Sequence, residues 1–115
     1  MLGQNAWQFT YKLHGDVTEE QALSHLLDLA DLIGMEIGGK PGIWSYPTHY
    51  GKGGVGFTIL LPIVESYLVV DAWPELSLFY LTIFTCKRPS AHSIELVDEY
   101  LGGRWRVTRC SRLEL

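Results

Sequence analysis

Three observations in this sequence predict an α+β fold with an antiparallel sheet carrying two helices on one face. Two stretches have helical apolar spacing, several others have strand character, and the helical stretches are separated by strands close enough to pair as hairpins. The 115 residues suit one domain, with no linker or low-complexity segment to divide them, so the whole chain, 1–115, is expected to fold as a unit. Apolar residues make up 47% and charged residues 19%, which is enough to build a core.

Ala6 to Leu13 alternates, with Trp7, Phe9, Tyr11 and Leu13 on one side and Gln8, Thr10 and Lys12 on the other. This is a half-buried strand, closed by a turn at His14-Gly15-Asp16. Thr18-Glu19-Glu20-Gln21 fits a capping box, and its two acids suit the positive end of a helix dipole. Leu23, Leu26, Leu27, Ala30 and Ile33 follow at helical spacing, and Gly34 can end the helix in the left-handed conformation.

Residues 37–54 are rich in glycine, with a short strand expected around Ile43 to Tyr46. Val55 to Val64 reads as a strand, and Pro62 must sit at an edge, a bulge or the strand's end. Tyr67 to Trp73 and Leu78 to Cys86 are two more strands, separated by Trp73-Pro74-Glu75. Pro89-Ser90 opens a second helix with Ile94, Val97 and Leu101 on one face, ended by Gly102-Gly103. Arg104 to Cys110 alternates again, with Trp105 and Val107 expected inward.

The net charge of −4 argues against nucleic acid or an anionic membrane as the main partner. The local cluster Arg104, Arg106, Arg109 and Arg112 reads as the solvent face and edge of a last strand. The apolar stretch from Val55 to Trp73 is broken by Pro62, Glu65 and Asp71, which favours two strands over a membrane span. Two cysteines, Cys86 and Cys110, make a poor disulfide framework, and no basic-then-apolar leader is read at the start. A reducing cytoplasm is therefore the expected location.

Nucleotide-binding glycine motifs, Cys-x-x-Cys pairs and the Gly-x-Ser-x-Gly elbow are all missing. His14, His25, His49 and His92 are scattered, so no metal site is expected, and His25 is read as a residue on the polar face of its helix.

One constellation remains: Gly56-Phe57-Thr58, Glu65-Ser66, Trp73-Pro74-Glu75 and Phe84-Thr85-Cys86. Together these resemble the bacterial and archaeal S-adenosylmethionine decarboxylases. In that family a Gly-x-Ser/Thr step precedes Glu-Ser, an apolar strand ends in His-Thr-Trp-Pro-Glu, and a later strand ends in Phe-Thr-Cys. The intervals match without gaps from Thr58 to Cys86.

The resemblance implies a chain that cuts itself between Glu65 and Ser66 into residues 1–65 and 66–115. The Ser66 hydroxyl attacks the Glu65 carbonyl, elimination from the resulting ester leaves dehydroalanine, and that takes up water and loses ammonia to become a covalent pyruvoyl group derived from Ser66. Such a group takes a substrate amine as a Schiff base and serves as the electron sink for decarboxylation. Thr58 corresponds to the oxyanion donor of processing and Cys86 to the proton donor of turnover. Glu75 corresponds to the residue that holds the ribose hydroxyls of the nucleoside substrate. Trp7 or Phe9 could stack on the substrate, although packing in the core is at least as natural a use for them. Family members of this length pair as homodimers with their sheets facing, a four-layer αββα arrangement with active sites near the interface.

Two positions depart from the family pattern. Asp71 stands where the family has its processing histidine, five residues after the cleaved serine, and could replace it as a carboxylate base. Tyr67 stands where a histidine usually follows the serine, which changes the pocket wall. Three functions stay open. The first is an S-adenosylmethionine decarboxylase of spermidine synthesis, favoured by Glu75. The second is a pyruvoyl decarboxylase of another amino acid such as arginine or ornithine, favoured by Tyr67 and Asp71. The third is an uncleaved, non-catalytic homologue that binds a small molecule or partner, favoured by the missing histidine.

Overall fold

The computed structural model describes residues 5–47 and 54–115, so His49 lies outside the described residues. Strand β1 (Trp7–His14) turns Phe9, Tyr11 and Leu13 into the core, as its alternation predicts. Gly15 has a φ of +149°, and a Cβ there would fall 2.6 Å from the Trp105 indole, so the turn needs glycine on two counts.

Helix α1 (Glu19–Leu32) begins with the expected capping box. The Gln21 amide donates to Thr18 Oγ1 at 3.1 Å, and the Thr18 amide donates to Gln21 Oε1 at 3.0 Å. Such a cap is worth ~1 kcal/mol. Gly34 follows with a φ of +70°, the left-handed conformation expected of it. The buried face is rotated from the expected one. It runs through Ala22, Leu26, Leu29 and Ala30, while Leu27 is exposed. Positions 22, 26, 29 and 30 form one stripe, and Leu27 lies a third of a turn away at its margin.

Strands β2 (Gly42–Pro47), β3 (Val55–Ile63), β4 (Ser66–Trp73) and β5 (Leu78–Thr85) follow, with a 3₁₀ turn at Pro74–Leu76 between the last two. Pro62 costs no rung to β4. Its carbonyl accepts from the Gly38 amide at 2.9 Å on the β2 side, so the missing N–H faces that side, beyond the paired residues of β2. Helix α2 (Ala91–Gly102) is capped by Ser90, whose side chain accepts from the Ser93 amide at 3.0 Å, and it buries Val97 and Leu101.

Strand β6 (Arg106–Glu114) corrects the reading of the C-terminal segment. Trp105 precedes the strand and packs edge-on against Phe79 and His25, with ring centroids 5.1 Å and 4.7 Å apart. Val107 is exposed rather than inward, because β6 is an outer strand and nearly all of it is open to water. The four arginines accordingly sit on the open strand or just before it, as expected.

All neighbouring strands pair antiparallel, in the order β2-β3-β4-β5-β1-β6. Both helices lie on one face, α1 over β3 and β4, and α2 beside α1 and β6. Phe9, Leu13, Ile59, Leu61, Leu68 and Leu81 fill the layer between sheet and helices. Among the described residues none forms a covering layer over the opposite face. Strand alternation places Thr58, Tyr67, Asp71, Trp73, Tyr80 and Phe84 there. Among the described residues no helix is long and apolar enough to cross a membrane.

Candidate functional site

The residues singled out in the sequence fall into three groups along the hairpin of β3 and β4. The first lies at the hairpin loop. Ile63 pairs with Ser66, leaving Val64 and Glu65 as a two-residue connection. Glu65 has a φ of +59°, a left-handed conformation that costs a residue with a Cβ ~1–2 kcal/mol. The loop is held from outside, because the Val64 amide donates to the Glu36 carbonyl at 3.0 Å.

Ser66 opens β4, half-buried, directly opposite Thr85 of β5. The Cys86 amide donates to Ser66 Oγ across a long 3.4 Å. Thr85 is 1% exposed, and its hydroxyl donates to the Lys87 carbonyl at 3.0 Å while accepting from the Lys87 amide at 3.1 Å. That closed turn fixes where the chain leaves β5 and so where Cys86 stands. Trp7 pairs with Thr85 on the other side, putting Trp7, Thr85 and Ser66 in one row across three strands on the helix side of the sheet. Phe9 is 6% exposed and belongs to the core. Tyr67 stacks on Phe84 on the open face, with centroids 5.0 Å apart and planes 12° from parallel.

The second group lies mid-sheet on the open face. Thr58 Oγ1 donates to Asp71 Oδ1 at 2.7 Å, and the Tyr46 hydroxyl lies 3.0 Å from Thr58 Oγ1. A threonine has one proton to give, so with Asp71 ionised the natural order of donation is Tyr46 to Thr58 to Asp71. Sequence reasoning missed Tyr46. The strand carrying it was legible, but its register against β3 was not.

The third group lies at the far end of β4. Trp73 meets Tyr80 edge-on at 5.8 Å, and Glu75 is half-buried in the 3₁₀ turn.

The structure brings Ser66 together with Cys86, and Thr58 together with Asp71, but does not join these pairs within one protomer. Asp71 is five residues beyond Ser66 in the same strand, roughly 17 Å at 3.3 Å per residue, and on the other face of the sheet. His25, expected on a polar helix face, is instead wedged between the helices. Its Nδ1 lies 2.6 Å from the Tyr100 hydroxyl, which donates to Asp28 at 3.2 Å. Burial, with the Arg104 charge adding to it, pushes the His25 imidazole below its ordinary pKa, while Asp28 pulls the other way.

Comparison with known proteins places this fold. No curated relative matches the chain. Among solved structures, the crystal structure of the adenosylmethionine decarboxylase from Aquifex aeolicus VF5 superposes with a TM-score of 0.63. It is 14% identical, and the alignment covers 97% of this chain and 89% of that one. That likeness concerns the fold alone. A family model described as S-adenosylmethionine decarboxylase matches residues 13–112, which take in both helices, β2 to β5 and most of β6, and the chain therefore belongs to the S-adenosylmethionine decarboxylase family.

Proposed function

We propose that this protein is a pyruvoyl-dependent decarboxylase that cleaves itself between Glu65 and Ser66 and acts on S-adenosylmethionine, serving spermidine synthesis. The observation that carries the reading is the meeting of Ser66 with Cys86 at the joined ends of β4 and β5, behind a left-handed Glu65. Ser66 is the residue from which the pyruvoyl group is made, and a thiol-bearing residue stands beside it, so the residues fit the group. A pyruvoyl group supplies an electron sink for the loss of carbon dioxide. In processing, the Ser66 oxygen bonds to the Glu65 carbonyl carbon as the bond to the Ser66 nitrogen breaks. In turnover, Cys86 holds the proton that is returned to carbon, and Glu75 orients a ribose by accepting from its hydroxyls.

Two copies pair in this reading. The open face offers half-buried Tyr67, Trp73, Tyr80 and Phe84 for burial against a second sheet. The Tyr46–Thr58–Asp71 chain lies on that open face, so a facing copy would bury it at the interface. Asp71, at the position of the family's processing histidine, is the base of processing in this reading, and Trp7, in the row of Ser66, is the better placed of the two β1 aromatics to meet a substrate.

A second reading, an uncleaved homologue that binds a small molecule or partner, is favoured by one observation. The Thr58 proton already goes to Asp71, which removes it from the oxyanion role that the family pattern assigns to Thr58.

Intact mass of the denatured protein tests the proposal. Two fragments, 1–65 and 66–115, with the second blocked at its N-terminus, are expected. A stable 13.0 kDa species favours the uncleaved reading. Carbon dioxide release from S-adenosylmethionine, arginine and ornithine then assigns the substrate. Ser66→Ala must abolish cleavage, and Cys86→Ala must cleave yet turn over poorly.

A further inference from the structure

We propose that a cavity on the helix side of the sheet, between the end of α1 and the start of α2, binds a small amphipathic anion: a short apolar body with one carboxylate or phosphate head. The cavity holds about 230 Å³. That is below the ~300 Å³ at which pockets for drug-sized ligands begin, so its occupant is small. It lies across the sheet from the face that carries Thr58 and Asp71.

The walls are apolar, with Phe9 and Ile83 from the sheet, Met35 beyond α1, and Ile94 and Val97 from α2. The polar lining is of one sign. Lys87 and Arg88 contribute to it, and no Asp or Glu does, in a chain whose net charge is −4. Among the described residues neither cation makes an ion pair. Ser90 and Ser93 add hydroxyls beside the N-terminus of α2, a 12-residue helix with no acid in its first turn to offset its dipole. Apolar walls under a cationic rim complement an anion with a hydrocarbon tail and repel a cation.

The site also has a place in the fold that gives its occupancy a consequence. Thr85, which lines the cavity, stands opposite Ser66, and the segment Lys87 to Ser90 follows directly on Cys86. A ligand gripped by Lys87 and Arg88 therefore steadies the segment that presents Cys86. Binding itself does not depend on whether the chain is an enzyme.

The test is titration of the intact ¹⁵N-labelled protein with hexanoate and with hexyl phosphate, using hexanol and inorganic phosphate as controls. The expected result is saturable binding of at least one amphipathic anion, at least tenfold tighter than either control, with amide shifts concentrated between residues 87 and 94. Tighter binding of hexanoate or of hexyl phosphate identifies the head group. Arg88→Ala and Lys87→Ala, both at exposed positions, are each expected to weaken the anion severalfold and leave hexanol unchanged. Absence of saturable anion binding, equal affinity for hexanol, shifts confined to the open sheet face, or insensitivity to both substitutions would overturn the proposal.

Discussion

The Thr58 hydroxyl donates to the Asp71 carboxylate at 2.7 Å, joining the centres of β3 and β4 on the uncovered face of the sheet. If Asp71 is the processing base, Asp71→Asn keeps the shape and removes the basicity. Cleavage should slow by ~100-fold or more, the usual scale of general-base catalysis. Tyr46→Phe, which leaves Thr58 without its neighbouring hydroxyl, should slow it less and shift its pH profile. Time courses by intact mass across pH 6–9 give both answers. An unchanged rate in Asp71→Asn would remove Asp71 from the mechanism.

Glu65 should be a source of local destabilisation. Its left-handed φ costs ~1–2 kcal/mol, and glycine escapes that cost while giving up ~0.5–1 kcal/mol of chain entropy. Glu65→Gly, made on a Ser66→Ala background so that every molecule stays whole, should raise stability by about 0.5–1 kcal/mol in urea unfolding. A loss of stability would mean that the Glu65 side chain makes contacts worth more than the strain.

The legible parts of the structure are those governed by local chemistry. β1, α1 and α2 each have one wet face and one dry one, so their periods survive in the sequence, and the caps at Thr18 and Ser90 need only the next few residues. Leu27, His25 and Val107 were misjudged because their surroundings are set by another element: the sheet under α1, Tyr100 and Trp105 beside α1, and the outermost place of β6 in the strand order. The same division runs through the site. Ser66 and Cys86 belong to a linear motif, but their meeting depends on the register of β4 against β5. The Tyr46–Thr58–Asp71 chain depends on the register of three strands.

Asp98 ties α2 to β1 and β6, accepting from the Tyr11 hydroxyl at 2.9 Å and from Arg112 Nη2 at 2.6 Å. Tyr11 is 2% exposed, and burial, then the bond to Asp98, raises its phenol well above the ordinary range. Asp98→Ala should cost about 1–3 kcal/mol by leaving that hydroxyl without its partner, and Tyr11→Phe should cost less. Paired urea titrations of the two variants check the order, and a reversal would put the value in packing of the ring.

His25 should make stability fall on mild acidification. Its folded-state pKa is lowered from 6.5, so the folded chain binds fewer protons than the unfolded one. The contribution is full above 6.5 and is lost as pH falls from there through the folded value. Melting temperature measured from pH 7.5 to 5 should drop in the wild type, and less in His25→Gln. Identical slopes would assign the acid sensitivity to other groups.

The strand order has a consequence for what a cut at Glu65 leaves behind. The first fragment would own β1, β2 and β3, and the second β4, β5 and β6. In the sheet, however, β1 lies between β5 and β6. The longer piece would thus be gripped by the shorter one's strands on both sides of β1, while β3 stayed laced to β4 along seven paired positions. The pieces would be interlocked: backbone scission would release no subunit, and separating them would require melting the sheet itself.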